Sequence, residues 1–188
     1  MSRTTIEWTD RTWNPITGCT KVSPGCKHCY AETIADRFWA KQYPLVVERF
    51  KDGSGRLERP RHFTDVQTHE DRLLEPLSWR KPSRVFVNSM SDLFHEDVPD
   101  VFIDRVFSVM ALEERHTFQV LTKRPERMRK WFAARRFDVK GSAILQTETG
   151  ECHYAFQWPL PNVWLGVSVE DQQRADERIP LLLQTTAA

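Results

Sequence analysis

No apolar run in this chain approaches the roughly 20 residues needed to span a bilayer, and no hydrophobic stretch follows Met1-Ser2-Arg3 to act as a secretory signal. The chain lacks a charge excess as well: 27 basic against 26 acidic residues leave a net charge of +1, so no global field for a polyanion is built in. It lacks internal repeats and low-complexity tracts. These absences point to one soluble, cytoplasmic domain. At 188 residues it is long enough to bury an ordinary core without disulfide staples.

What the chain does have is a concentration of thiols. Three of its four cysteines fall in Cys19-Thr-Lys-Val-Ser-Pro-Gly-Cys26-Lys-His-Cys29, a C-x6-C-x2-C spacing bent at Pro24-Gly25 and leading into Tyr30-Ala31-Glu32. A buried cysteine is often only a small hydrophobe, but Gly18, Lys21, Pro24, Gly25 and Lys27 mark this stretch as a polar loop. A secreted disulfide framework is disfavoured by the chain length and the missing signal. Cys152 stands alone. The three clustered thiols suit a shared metal, an iron–sulfur cluster or a redox pair, and three ligands leave one position open for chemistry.

Periodicity gives an α/β order. Thr4–Trp8 and Thr12-Trp13 are β-prone, and Tyr30 to about Gln42 reads as a helix with Ala31, Ile34, Ala35 and Phe38 at helical spacing. Residues 43–82 read as irregular, with a flexible tip at Lys51–Arg56, a possible strand at Phe63–Gln67 and a short helix at His69–Leu77. Arg84–Asn88, Thr117–Leu121 and Asn162–Ser168 read as strands. Pro99 and Pro125 open helices where no amide hydrogen is needed, with Phe102, Val106, Val109 and Met110 as the apolar stripe of the first. Gln172–Leu183 is helical, and residues 138–161 read as an inserted hairpin with Thr149-Gly150 near its turn. Alternating strands and helices imply a parallel sheet. Polar residues gather behind the strand ends, at Cys19–Cys29, Asn88–Asp92, Thr122–Arg124 and Ser168–Asp171, and in such folds that end carries the site.

The segments Ile6-Glu7-Trp8-Thr9-Asp10, Thr12-Trp13-Asn14-Pro15, Gly18-Cys19, Gly25-Cys26, Cys29-Tyr30-Ala31-Glu32, Asn88–Phe94, Leu121–Pro125 and Asn162–Ser168 together resemble a phage-associated, radical-SAM-like family of uncharacterised proteins, a divergent branch of the radical SAM superfamily. The resemblance covers nearly the whole chain. It implies a partial (β/α) barrel with helices outside, shorter at its C-terminal end than relatives, and a [4Fe–4S] cluster on Cys19, Cys26 and Cys29. It further implies S-adenosylmethionine at the fourth iron, one-electron cleavage to a 5′-deoxyadenosyl radical, an electron donor, and a protein partner encoded nearby in phage or prophage. An incomplete barrel would leave an open edge strand and invite association. The first cysteine gap is longer than the commonest C-x3-C-x2-C, His28 replaces the usual aromatic before the third cysteine, and the Gly-Gly-Glu segment that meets the methionyl amino group is absent. By position, Asn88, Ser89, Ser91 and Asp92 are candidates for that amino group, Lys123 or Arg124 for the carboxylate, and Glu170 or Asp171 for the ribose hydroxyls, with Ser168 a further cofactor-binding candidate.

Three other readings stay open. A structural zinc site would need a fourth ligand, with Cys152 or His153 from the hairpin as candidates. Cys26-Lys27-His28-Cys29 entering a helix has the local form of a dithiol redox pair. The run Lys123–Arg136, with seven basic residues and Trp131-Phe132 interleaved, could contact a nucleic acid, but reads first as a solvated helix face with Met128, Trp131 and Phe132 buried. His62, His69, His95 and His116 show no shared ligand spacing and read as surface or capping residues. Asp92, His95 and Glu96 suggest acid–base work, although acidic residues before Pro99 also suit a helix start.

Overall fold

Alternation along the strands decides which way the central sheet faces. In the computed structural model, which describes residues 4–49, 55–134, 142–147, 150–155 and 159–185, four parallel strands lie side by side in chain order. They are β1 (Arg11–Trp13), β6 (Arg84–Val87), β7 (Thr117–Thr122) and β10 (Val163–Val167). Trp13 pairs with Val87, Val85 with Phe118, and Val163, Leu165 and Val167 with Phe118, Val120 and Thr122. Successive residues point to opposite faces, so Trp13, Val85, Val87, Phe118, Val120 and Val163 form one buried face. Phe86, Gln119, Leu121 and Gly166 fall on the other.

Two helices close the buried face. α3 (Asp100–Leu112) contributes Phe102, Ile103, Val106, Phe107, Val109 and Met110, and α4 (Pro125–Ala134) contributes Met128, Trp131 and Phe132. Phe107 stacks on Trp131 with ring centroids 4.6 Å apart. Both helices start at proline, as expected, with Pro99 as the cap of α3 and Pro125 as the first residue of α4. Trp131 and Phe132 lie in this core, so no nucleic-acid base can stack on them. Arg127, from the same basic run, donates to the Val98 carbonyl at 2.6 Å and to Asp100 at 3.0 Å. The reading of that run as a helix face with Met128, Trp131 and Phe132 buried holds for residues 125–134, whereas Arg124 precedes the helix and is itself buried.

The remaining elements pin the strand ends. β2 (Ile16–Thr17) pairs antiparallel with β5 (Gln67–Thr68), and α1 (Tyr30–Gln42) follows the cysteine loop with the bounds expected from sequence. Its buried residues are Ala31, Ala35 and Trp39, packed on Phe63, whereas Ile34 and Phe38 are exposed. α5 (Gln172–Leu183) is capped by Asp171, whose carboxylate accepts from the Arg174 amide at 2.7 Å. No helix among the described residues is long and apolar enough to cross a membrane.

Several expectations change. Residues 4–8 form no strand: Thr9 donates to the Arg84 carbonyl at 3.0 Å and Asp10 accepts the Arg84 amide at 2.8 Å, so pairing starts only at Arg11. Within 43–82 there is a hairpin of β3 (Val46–Arg49) and β4 (Arg56–Arg59), fastened by Arg59 Nε to Glu48 at 2.8 Å. Residues 51–54 of the expected tip lie outside the described residues. The expected 63–67 strand is a turn at 63–65 closed by Asp65, which accepts the His62 amide at 2.7 Å, and only its last residue, Gln67, enters β5. The expected 69–77 helix is split into α2 (Glu70–Leu73) and a 3-10 turn at Glu75–Ser78. The inserted hairpin is present as β8 (Ser142–Thr147) and β9 (Gly150–Ala155), with Thr149 of its turn outside the described residues.

Of the four histidines read as surface or capping residues, His69, His95 and His116 are buried, His69 at the cap position of α2, and His62 is exposed. His69 Nε2 lies 2.7 Å from Thr17 Oγ1, and burial, with Arg72 and Arg61 nearby, depresses its value from 6.5 to about 4. Burial is also the largest depressing cause at His95 and His116. Between those two values the unfolded chain binds the proton that folded His69 refuses. Stability is therefore fully present above pH about 6.5 and falls as the pH drops toward about 4. The urea midpoint should be lower at pH 5 than at pH 7.5, and His69→Gln, which cannot titrate, should narrow that difference. A midpoint flat across this window would remove the neutral-histidine account.

Candidate functional site

Parallel strands end on one side, and all four loops that leave the sheet on that side meet at one cavity of about 480 Å³. Cys19, Cys26, Cys29, Ser89, Ser91, Asp92, Lys123, Arg124 and Ser168 line it, with an apolar wall from Ile6, Trp8, Phe86 and Leu121. Trp8 and Phe86 pack with centroids 4.8 Å apart. Gly166 keeps this side open: a side chain there would place its Cβ 2.6 Å from Leu121 Cδ2.

The first cysteine is held from both sides. Gly18 donates to the Met90 carbonyl at 3.0 Å and Cys19 to the Phe63 carbonyl at 2.9 Å. Gly18 sits at φ +95°, and a Cβ would stand 2.5 Å from the Asp65 carbonyl oxygen, so only glycine passes between these segments. Pro24–Cys26 makes a 3-10 turn, in which the Cys26 amide donates to Ser23 O at 2.9 Å. Cys29 then caps α1 with an extended backbone and no side-chain hydrogen bond, which leaves its thiol for the cavity. Alanines at positions 31 and 35 let the helix lie close, with Cys19 and Cys29 packed against the same small cluster.

Asp92 is the hub, and it is buried. Its Oδ1 accepts from Thr122 Oγ1 at 2.7 Å and the Phe94 amide at 3.0 Å; its Oδ2 accepts from the Lys123 amide at 3.0 Å and Arg124 Nη1 at 3.4 Å. Arg124 is equally enclosed. Nε reaches Glu96 at 3.0 Å, Nη2 reaches Thr20 O at 3.1 Å and Thr20 Oγ1 at 2.9 Å, and Nη1 also faces the Cys19 sulfur at 3.5 Å. Desolvation pulls this guanidinium down, but Asp92, Cys19 and Glu96 more than offset it and hold it charged. Neither group has capacity left for a methionyl amine or carboxylate. Lys123 does: no carboxylate among the described residues pairs with its ammonium, which stands near Cys26.

The other expected residues divide. Ser89 donates to Asn14 Oδ1 at 3.2 Å and Ser91 to the Ile16 carbonyl at 2.9 Å, so both lie at the cavity as fixed loop residues. Asn88 does not line the cavity; it turns the chain at φ 61°, with its side chain buried. Glu170 is absent from the lining too. It accepts from the Gly25 amide at 3.3 Å and from Arg178 Nη1 at 2.9 Å, clamping the cysteine loop to the start of α5. Sequence reasoning missed Thr20, Thr122 and the aromatic wall. Of these, Trp8 and Thr122 stood in quoted motifs, but neither was given a role there.

The thiols differ chemically. Burial pushes the Cys19 thiol up to about 11, against the opposing pull of Arg124. Desolvation also acts upward on Cys26, but the amides of Val22 and Ser23, the Ser23 hydroxyl and Lys123 outweigh it and hold that thiol below its ordinary value. All three cysteines are free. Among the described residues, no group of three or more His, Cys, Asp or Glu side chains is placed to hold one metal ion. The zinc reading required Cys152 or His153; both lie on β9, whose side chains fall outside the described residues, and β8 runs beside α3 on the sheet face away from the cavity.

The fold and the cavity define an α/β protein whose parallel strand ends deliver three free thiols to one chamber. Residues 3–188 match the family described as "Protein of unknown function (DUF5131)", and the chain belongs to that family. Comparison with curated proteins and with solved structures gave no match.

Two outcomes follow from this geometry. In the reduced protein at pH 8, iodoacetamide followed by peptide mapping should label Cys26 well ahead of Cys19; equal rates would contradict the assigned environments. A Cβ on Gly25 would lie 2.7 Å from Glu170 Cδ and 3.0 Å from its Cβ, so Gly25→Ala must displace the clamp. We expect a loss of about 1–2 kcal/mol in urea unfolding. Most of it should vanish when Gly25→Ala is made in a Glu170→Ala background, because the two residues are in contact.

Proposed function

We propose that this protein binds an iron–sulfur cluster through Cys19, Cys26 and Cys29 and uses it with S-adenosylmethionine, and that its sheet is part of a (β/α) barrel. The observation that carries the reading is the delivery of three unpaired thiols, from one loop, to a cavity built at the carboxyl ends of parallel strands. Ligands of a single tetrahedral ion must crowd within bonding reach of one point, about 2.3 Å for thiolate on zinc. Three thiolates facing one chamber, with no fourth protein ligand beside them in the same loop, suit a larger inorganic group such as an iron–sulfur cluster.

Bound there, a [4Fe–4S] cluster supplies the single electron for reductive cleavage of the sulfonium, itself drawn from an external donor. The chain's own residues bind and exclude. Lys123 offers the unpaired cation for a carboxylate, and the Trp8–Phe86 wall offers aromatic surface for a base. Ile6 and Leu121 extend the apolar side and keep water from a reactive species. The Asp92–Arg124 pair fixes the loops that carry these groups.

Anaerobic reconstitution tests the reading, with iron and acid-labile sulfide measured for wild type and Cys26→Ala. Near-stoichiometric four-iron, four-sulfide content, lost in the variant, is the expected result. S-adenosylmethionine cleavage under dithionite is then assayed. Zinc without sulfide would sink this reading and make the loop a structural metal site.

A further inference from the structure

The three thiols differ in what stands behind each sulfur. Cys29 receives no side-chain hydrogen bond among the described residues, and Cys26 has the Ser23 hydroxyl at 3.9 Å and the Val22 and Ser23 amides, with no charged donor on either sulfur among the described residues. Cys19 faces a fixed cation, with Arg124 Nη1 3.5 Å from its sulfur. That guanidinium cannot swing away. Glu96 holds Nε at 3.0 Å, Asp92 shares Nη1 at 3.4 Å, and Thr20 takes Nη2 on both its carbonyl and its hydroxyl oxygen.

Thr20 is oriented in turn. His95 Nδ1 accepts the Asp97 amide at 3.1 Å, so the neutral ring carries its proton on Nε2 and donates to Thr20 Oγ1 at 2.8 Å. That hydroxyl then donates to Glu96 Oε1 at 3.3 Å. A buried ion pair made only for stability would need Asp92 alone. Here the threonine and the second carboxylate set the plane of the fork, and the remaining edge is turned to sulfur. Lys123 is the contrast, a cation near Cys26 on a flexible stem that no carboxylate among the described residues aims.

We propose that Arg124 is a positioning residue that sets the reduction potential of the group held by the three thiolates, through a hydrogen bond to the Cys19 sulfur. The inference rests on the cluster reading above. One-electron reduction adds a negative charge to the site. A fixed positive charge, and a donor drawing density from one thiolate, favour the more negative state and raise the potential. Glu96 opposes this: its carboxylate compensates part of the guanidinium charge while remaining 61% exposed.

The test is a dithionite titration, followed by electron paramagnetic resonance, of reconstituted wild type, R124M, E96Q and K123M. R124M keeps length but loses charge and donor, and its midpoint should move to lower potential. E96Q should move the midpoint upward, a sign that a loosened fold would not produce, and K123M should move it less than R124M does. A fully loaded R124M with the wild-type midpoint, or a downward shift in E96Q, overturns the proposal; if R124M fails to fold or load, E96Q decides. A wild type that holds no iron and sulfide removes both the cluster reading and this proposal. That failure is visible in the metal analysis before any variant is compared.

Discussion

A buried guanidinium must be surrounded by acceptors or it unfolds the protein around it, and Arg124 is that constraint here. It is only 7% exposed, with Asp92, equally buried, as its principal counter-charge. Removing one partner of such a pair costs about 3–5 kcal/mol, because the other is left uncompensated in low dielectric. What the pair organises matters more than its net contribution. Asp92 follows β6, Arg124 follows β7, and Thr20 belongs to the loop after β1, so satisfying one cation ties together three strand ends. Glu170 and Arg178 do the same for the fourth by holding Gly25.

With the strand ends cross-linked, the two faces of the sheet take different roles. One face is closed by α3 and α4 over Val85, Val87, Phe118 and Val120, and it carries most of the apolar burial. The other presents Phe86 and Leu121 to the chamber, with Gly166 supplying space rather than a side chain. Parallel sheets are ordinarily covered on both faces. Covering only one with helices leaves the second able to wall a cavity, and Trp8, 42% exposed, stands at its margin against Phe86.

Periodicity read the second half of the chain well because its elements have clear starts and alternating burial. Pro99 and Pro125 mark the two helices, β6 and β10 fall within the runs expected for them, and β7 runs one residue further, to Thr122. The first half was harder. Thr9 and Asp10 cap the sheet with side-chain bonds to Arg84, which no local pattern announces. The β3–β4 hairpin is a strip of alternating charge that buries little, so its pattern resembles loop. On α1 the four residues at helical spacing divide: the small Ala31 and Ala35 pack against the loop, and Ile34 and Phe38 are exposed. The cysteine cluster and the polar strand ends were legible as a group. Their division of labour was not, because it depends on contacts across about 100 residues, such as that between Thr20 and Arg124.

That division narrows what any ligand of the cavity can meet. Asp92, Arg124, Ser89 and Ser91 were each eligible by position to bind a small molecule, and each is occupied with another part of the chain. Glu170 is occupied too, outside the cavity lining. Their work is to hold loops still, as the supporting shell of a precise site requires. Among the described residues, the groups left facing the chamber are three thiols, the Lys123 ammonium, Ser168 and an apolar wall. Such a set has little capacity to neutralise a highly charged organic ligand, but a large capacity to hold a soft inorganic one and to keep its surroundings dry. The scaffold commits its charges to geometry and leaves three free sulfur atoms facing the cavity.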